Sequence, residues 1–165
     1  MQSEIYLAGG CFWGVEKYFS LLPGVIKTSV GYANGHIENP TYKMVCDTDT
    51  GHAETIHVVY DSGQTSLEDL LEEYYKIIDP TALNRQGPDI GTQYRTGIYY
   101  TDPGDCETIA RSLDILQKRH EEPVVVENLP LEVYYLAEEY HQKYLDKNPN
   151  GYCHISPSAF KTTAK

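Results

Sequence analysis

Hydrophobic and polar positions change period several times along the chain, and each change marks an element. Ile5-Tyr6-Leu7-Ala8 is a short apolar run closed by Gly9-Gly10 and reads as a strand over 3–8. Beyond it the apolar positions Val15, Tyr18, Phe19, Leu21 and Leu22 keep the helical period. They predict a helix from about Cys11 to Leu22 that stops at Pro23-Gly24. The β-branched run over 25–32 predicts a strand, and 33–40, with its Asn, Gly and Pro, a loop. Glu54 to Asp61 alternates in part and predicts a strand, followed by a turn at Asp61-Ser62-Gly63. Ser66-Leu67-Glu68-Asp69 carries a capping-box-like start. Leu67, Leu70, Leu71, Tyr74, Tyr75, Ile77 and Ile78 form the apolar face of the helix it opens, which ends at Asp79-Pro80. Residues 80–94 keep no period and read as a long loop, a feature that is often functional in compact domains. Then come a strand at Thr96–Tyr100, a helix from Asp102, a short strand over 123–127 and a helix from Glu132 to about Lys147. Residues 148–165 read as an irregular tail.

Strand–helix–strand occurs twice, joined by a direct strand–strand step. That order fits an α/β (α+β) fold of the ferredoxin-like, split βαβ kind: a mixed sheet with helices packed on it and a long irregular C-terminal tail. At 165 residues the chain reads as one catalytic-sized domain, 1–165. A formal charge of -11 argues against binding a phosphate backbone. No charged leader precedes an apolar core segment and no apolar run approaches a bilayer span, so a soluble, cytoplasmic monomer is expected.

Composition adds one candidate chemistry. Four cysteines, Cys11, Cys46, Cys106 and Cys153, show neither a C-x-x-C nor a zinc-ligand spacing, so no metal is expected. Cys11 stands where a strand turns into a helix. The free N–H groups and positive dipole end there favour a thiolate. Gly9 and Gly10 let the backbone turn and leave space for a substrate. Phe12 and the single Trp, Trp13, put two aromatic faces beside the sulfur. The same residues also suit a buried core thiol with aromatic packing.

The segment Gly10-Cys11-Phe12-Trp13-Gly14-Val15-Glu16 resembles the signature of the peptide methionine sulfoxide reductase A family. Further pieces follow in the family's order: Gly31-Tyr32-Ala33, Asn39-Pro40-Thr41-Tyr42, Val45-Cys46, Thr50-Gly51-His52-Ala53-Glu54, Asp89 to Arg95 and Ala137 to Leu145. The match runs from about residue 4 to about residue 155. It implies an α/β plait, thiol-dependent reduction of methionine S-sulfoxide, free or in proteins, and thioredoxin or another dithiol as external reductant with no bound cofactor. It also implies site roles: Cys11 as nucleophile, Glu54 as acid with a raised pKa, and Tyr42 and Tyr94 as donors to the sulfoxide oxygen. Asp89 would hold a loop or a site water. Gly10, Phe12, Trp13 and His52 would lie along the substrate, with His52 orienting Glu54. Cys153 would resolve a Cys11 sulfenic acid as a disulfide, and no cysteine follows it to extend a relay. Cys46 and Cys106 read as structural, and His141 pairs with Glu138 one helical turn earlier. Two other readings stay open on residues alone: a cysteine peroxidase, and a peptide-binding module using the Phe12-Trp13 cleft.

Overall fold

The computed structural model describes residues 1–155. Its six-stranded sheet has the order β7 (Glu127–Pro130), β6 (Thr96–Tyr100), β1 (Gln2–Gly9), β3 (Ala53–Asp61), β2 (Val25–Ala33), β8 (Tyr134–Leu136). The central four strands are β1, β2, β3 and β6. β1 runs antiparallel to β3 and β6, and β2 antiparallel to β3. With α1 (Phe12–Ser20) after β1 and α3 (Leu67–Lys76) after β3, this is the expected split βαβ plait. Ile5 and Leu7 of β1 face the core beneath α1 and α3, with Val15, Phe19, Ile56, Val58, Leu70 and Leu71. Tyr6 and Ala8 point to the other face, which is covered by Ala33, Ala53, Tyr99, Leu131 and Tyr134. From Ile5 to Gly9 both faces of β1 are therefore buried, and its end is fixed: the Tyr74 hydroxyl donates to the Ala8 carbonyl and accepts from the Gly97 amide (3.1 Å).

Ser66 caps α3 as its sequence indicates, its hydroxyl accepting from the Asp69 amide at 3.1 Å. A six-residue helix, α2 (Tyr42–Asp47), is too short for a period to reveal. Thr41 starts it by accepting from the Met44 amide at 3.1 Å. The 80–94 loop holds a two-strand hairpin, β4 (Arg85–Gln86) and β5 (Asp89–Ile90), and a 3-10 turn at Thr92–Tyr94. α4 spans Asp105–Gln117. The strand expected over 123–127 is displaced: Val124 and Val126 pack on the core, and pairing with β6 begins only at β7 (Glu127–Pro130).

The helix expected over 132–147 does not form. β8 (Tyr134–Leu136), a 3-10 turn at Glu139–His141 and the single turn α5 (Tyr144–Lys147) replace it. Distant partners take the backbone groups that a helix would use. Asn34 Oδ1 accepts from the amides of Glu132 (2.8 Å) and Val133 (3.3 Å), and Tyr134–Leu136 pair with the edge of β2. The Gln142 carboxamide continues that edge by bonding the Val30 N–H and C=O, each at 2.9 Å. Lys143 then turns the chain in the left-handed region at φ 56°. This strap lies across the end of the sheet beside α1. Of the irregular tail expected over 148–165, residues 148–155 follow it with no further helix or strand, and 156–165 lie outside the described residues. No helix among the described residues is long and apolar enough to cross a membrane.

Candidate active site

β1 delivers the chain to the site through Gly10, whose φ of 90° only glycine adopts freely. Cys11 is the N-cap of α1 and is almost wholly buried, 4% exposed. The next amide, Phe12 N–H, donates to Glu54 Oε1 at 3.2 Å. Glu54 comes from β3, opposite Tyr32 of β2, and is 1% exposed. Its second oxygen, Oε2, is buried and makes no hydrogen bond. Burial pushes the carboxyl up to about 8, against the pull of the Phe12 amide and with a further push from Asp89. At that value the Glu54 carboxyl is mostly protonated at pH 7.

The thiol departs from the simple helix-end expectation. Burial, and then Glu54 once it ionises at higher pH, hold Cys11 well above the ordinary thiol range, although the Trp13 amide favours the thiolate. The dipole end is outweighed because the sulfur has almost no contact with water. At rest the pair is a neutral thiol beside a neutral acid.

Tyr42 of α2 and Tyr94 of the 3-10 turn are also kept protonated, by burial first and the Glu54 charge second. Both also sense the nearby Cys46. Phe12 and Trp13 belong to an aromatic box. Trp13 stacks on Tyr144 with centroids 3.9 Å apart, and Tyr42 tilts against His141 at 4.3 Å. The Trp13 indole N–H donates to His141 Nδ1 at 2.9 Å, which leaves the His141 proton on Nε2. Glu138 ties two walls together, accepting from the Tyr32 hydroxyl (2.8 Å) and the Tyr42 amide (2.9 Å). Asp89 accepts from the Tyr152 hydroxyl at 2.8 Å.

One expectation changes here. His52 is buried, but its Nδ1 accepts from the Gly35 amide (3.1 Å) and its Nε2 bonds the Ile37 carbonyl (2.8 Å). Both ring nitrogens are spent on the 34–37 loop, so His52 anchors that loop and does not orient Glu54. His141 stands one 3-10 turn after Glu138, its amide donating to the Glu138 carbonyl at 2.9 Å, so the two form a structural pair. Their side chains reach different partners, Trp13 from His141 and Tyr32 with Tyr42 from Glu138. Tyr144, stacked on Trp13, and Tyr152, bonded to Asp89, are site residues to which the sequence alone assigns no role. The strap also depends on Glu16, 2% exposed on α1. Its carboxylate accepts from the Lys143 amide (2.7 Å) and the Thr28 hydroxyl (2.9 Å). Glu16→Ala is expected to lose roughly 1.5–3 kcal/mol of stability, the worth of hydrogen bonds to a charged group. It should also raise KM by loosening Tyr144 against Trp13. Denaturant unfolding and steady-state kinetics check the two effects.

A buried thiol at a helix start, an acid kept neutral next to it and a strap of aromatics define a cysteine-dependent oxidoreductase on a ferredoxin-like plait. A family model described as peptide methionine sulfoxide reductase matches residues 3–165. A peptide methionine sulfoxide reductase MsrA from Lachnoclostridium phytofermentans is 58% identical over 160 residues, covering 97% of this chain and 96% of that protein. Among solved structures, reduced Mxr1 from Saccharomyces cerevisiae superposes with a TM-score of 0.87 at 38% identity, covering 94% of this chain and 91% of that one. Methionine sulfoxide reductase A of Corynebacterium diphtheriae gives 0.86 at 41% identity, covering 92% and 77%. Mxr1 has also been solved in complex with Trx2. The chain belongs to the peptide methionine sulfoxide reductase family.

Proposed function

We propose that the chain is a single catalytic domain, working as a cytoplasmic monomer without a prosthetic group, that reduces methionine S-sulfoxide, free or in proteins, to methionine. The observation that carries this reading is the neutral, buried carboxyl of Glu54 with one free oxygen, hydrogen-bonded to the residue after Cys11. Attack on a sulfoxide sulfur pushes negative charge onto its oxygen, and an acid held neutral at pH 7 is what that oxygen requires.

The aromatic box of Phe12, Trp13 and Tyr42 takes the substrate methyl group, and Asp89 with Tyr152 borders the opening. Glu54 gives its proton to the sulfoxide oxygen, with the Tyr42 and Tyr94 hydroxyls donating to the same atom. The Cys11 sulfur attacks the substrate sulfur, and the thiol proton returns to Glu54. Oxygen passes from substrate to enzyme: thiol and sulfoxide become a Cys11 sulfenic acid and a thioether. The Cys153 thiol then displaces the sulfenic oxygen as water and forms the disulfide. A dithiol, proposed to be thioredoxin, returns two electrons by exchange.

The test is turnover of the two separated epimers of a methionine sulfoxide, first with a small dithiol and then with thioredoxin and its reductase. Reduction of the S epimer alone is expected, and no reduction of either would overturn the reading. Cys153→Ser is expected to keep small-dithiol turnover and lose most of the thioredoxin-supported rate. Full thioredoxin-supported turnover in that variant would remove Cys153 from the cycle.

A further inference from the structure

The four residues from Tyr152 to Ile155 are already seated around the start of α1 while all four cysteines are free. Tyr152 is held by Asp89. His154 Nε2 lies 3.1 Å from the Gly9 carbonyl, which can only accept, so this nitrogen donates. Ile155 is buried in the main core at 5% exposure. Between these anchors, the Cys153 sulfur rests on α1 at Gly14. A β carbon there would stand 2.7 Å from that sulfur and 3.2 Å from Ile155 Cδ1. Gly10 behaves alike: its missing β carbon would meet Gln86 Cβ at 2.8 Å and His154 Nε2 at 3.1 Å. The room left by these two glycines is filled by the chain's own residues: Cys153 and Ile155 at Gly14, and Gln86 with His154 at Gly10.

Gly14 lies three residues after Cys11, on the same side of the first helical turn. Glycine inside a helix costs roughly 1 kcal/mol against alanine, so its presence needs a local reason. The contact with Cys153 supplies one. We propose that Gly14 and His154 are positioning residues for the second half of the reaction. They seat the Cys153 thiol one turn from Cys11, so that disulfide formation follows sulfoxide reduction without a search by the tail. This rests on the assignment of Cys153 as the resolving thiol. In the step itself the Cys153 sulfur bonds to the Cys11 sulfur, the Cys11 S–O bond breaks, and the oxygen leaves as water with the Cys153 proton.

The experiment is a single turnover with S-sulfoxide and no reductant, following methionine formed and free thiols lost. Wild type is expected to form one methionine per chain and lose two thiols. In Gly14→Ala methionine should form at the wild-type rate, while loss of the second thiol slows by roughly 10- to 100-fold, the scale of an ångström of misplacement. His154→Ala, which leaves α1 untouched, is expected to slow the same step. Wild type losing two thiols while Gly14→Ala loses both equally fast would overturn the seat alone. Wild type stopping at one thiol would overturn the resolving assignment and the seat with it.

Discussion

Cys11→Ser is expected to lower kcat/KM by roughly 10⁴-fold or more, as removal of an enzyme's nucleophile does. A hydroxyl cannot take the place of sulfur here. Its ionisation lies far above that of a thiol, and the product of attack could not be a sulfenic acid. Burying the hydroxyl at a site only 4% exposed costs some stability, about 1–3 kcal/mol if it finds no partner. Cys11→Ala, which buries no polar group, separates that cost from the chemistry. Both variants keep Phe12, Trp13, Tyr42 and the strap, so both should still bind a sulfoxide. Rapid-mixing kinetics of methionine formation, beside sulfoxide binding followed through Trp13 fluorescence, check the two halves of this expectation.

Glu54→Gln is the second large effect. The amide retains a donor but cannot deliver a proton, and the first step should fall by roughly 10²- to 10⁴-fold. The wild-type rate should decline as pH rises through about 8, where Glu54 loses its proton, and that decline should be absent in the variant. Stability moves with the same group. Its value rises from 4.5 in the unfolded chain to about 8 in the native protein, so between these values folding takes up a proton. The unfolded chain binds fewer protons there, and stability falls as pH rises across that window. Glu54→Gln removes this slope and should be more stable than wild type at pH 8 and above, by an amount on the order of a few kcal/mol. Thermal unfolding at pH 5 and pH 9 measures it.

The plait was legible because β1, α1, β2, β3, α3 and β6 each keep one clear period in their own residues. The strap was not. Tyr134, Leu136, Ala137, Tyr140, Tyr144 and Leu145 have spacings that suit a helix. What decides their structure is remote: Asn34 takes the amides of Glu132 and Val133, and Gln142 extends the edge of β2. Side chains replace the local backbone bonds there, and no periodicity records that. Within the site, Cys11, Phe12 and Trp13 are adjacent in the chain and could be read from their own stretch. Glu54, Tyr42 and Tyr94 come from β3, α2 and a 3-10 turn. They could be named beforehand only through the family resemblance, and the fold then sets them around one electrostatic neighbourhood. His52 shows the limit of neighbourhood in sequence. It stands two residues from Glu54, yet its ring is committed to Gly35 and Ile37. His141 and Tyr144 lie inside a matched segment, but nothing in their own stretch records that they meet Trp13, more than 120 residues earlier.

The central claim is that oxygen passes from the substrate to Cys11. The most direct measurement is peptide mass spectrometry of Cys153→Ser after one turnover with S-sulfoxide, with a carbon nucleophile present to trap sulfenic acid. The expected result is one adduct per methionine formed, on the peptide carrying Cys11. Methionine formed in full while that peptide carries no adduct and its thiol stays free would contradict it.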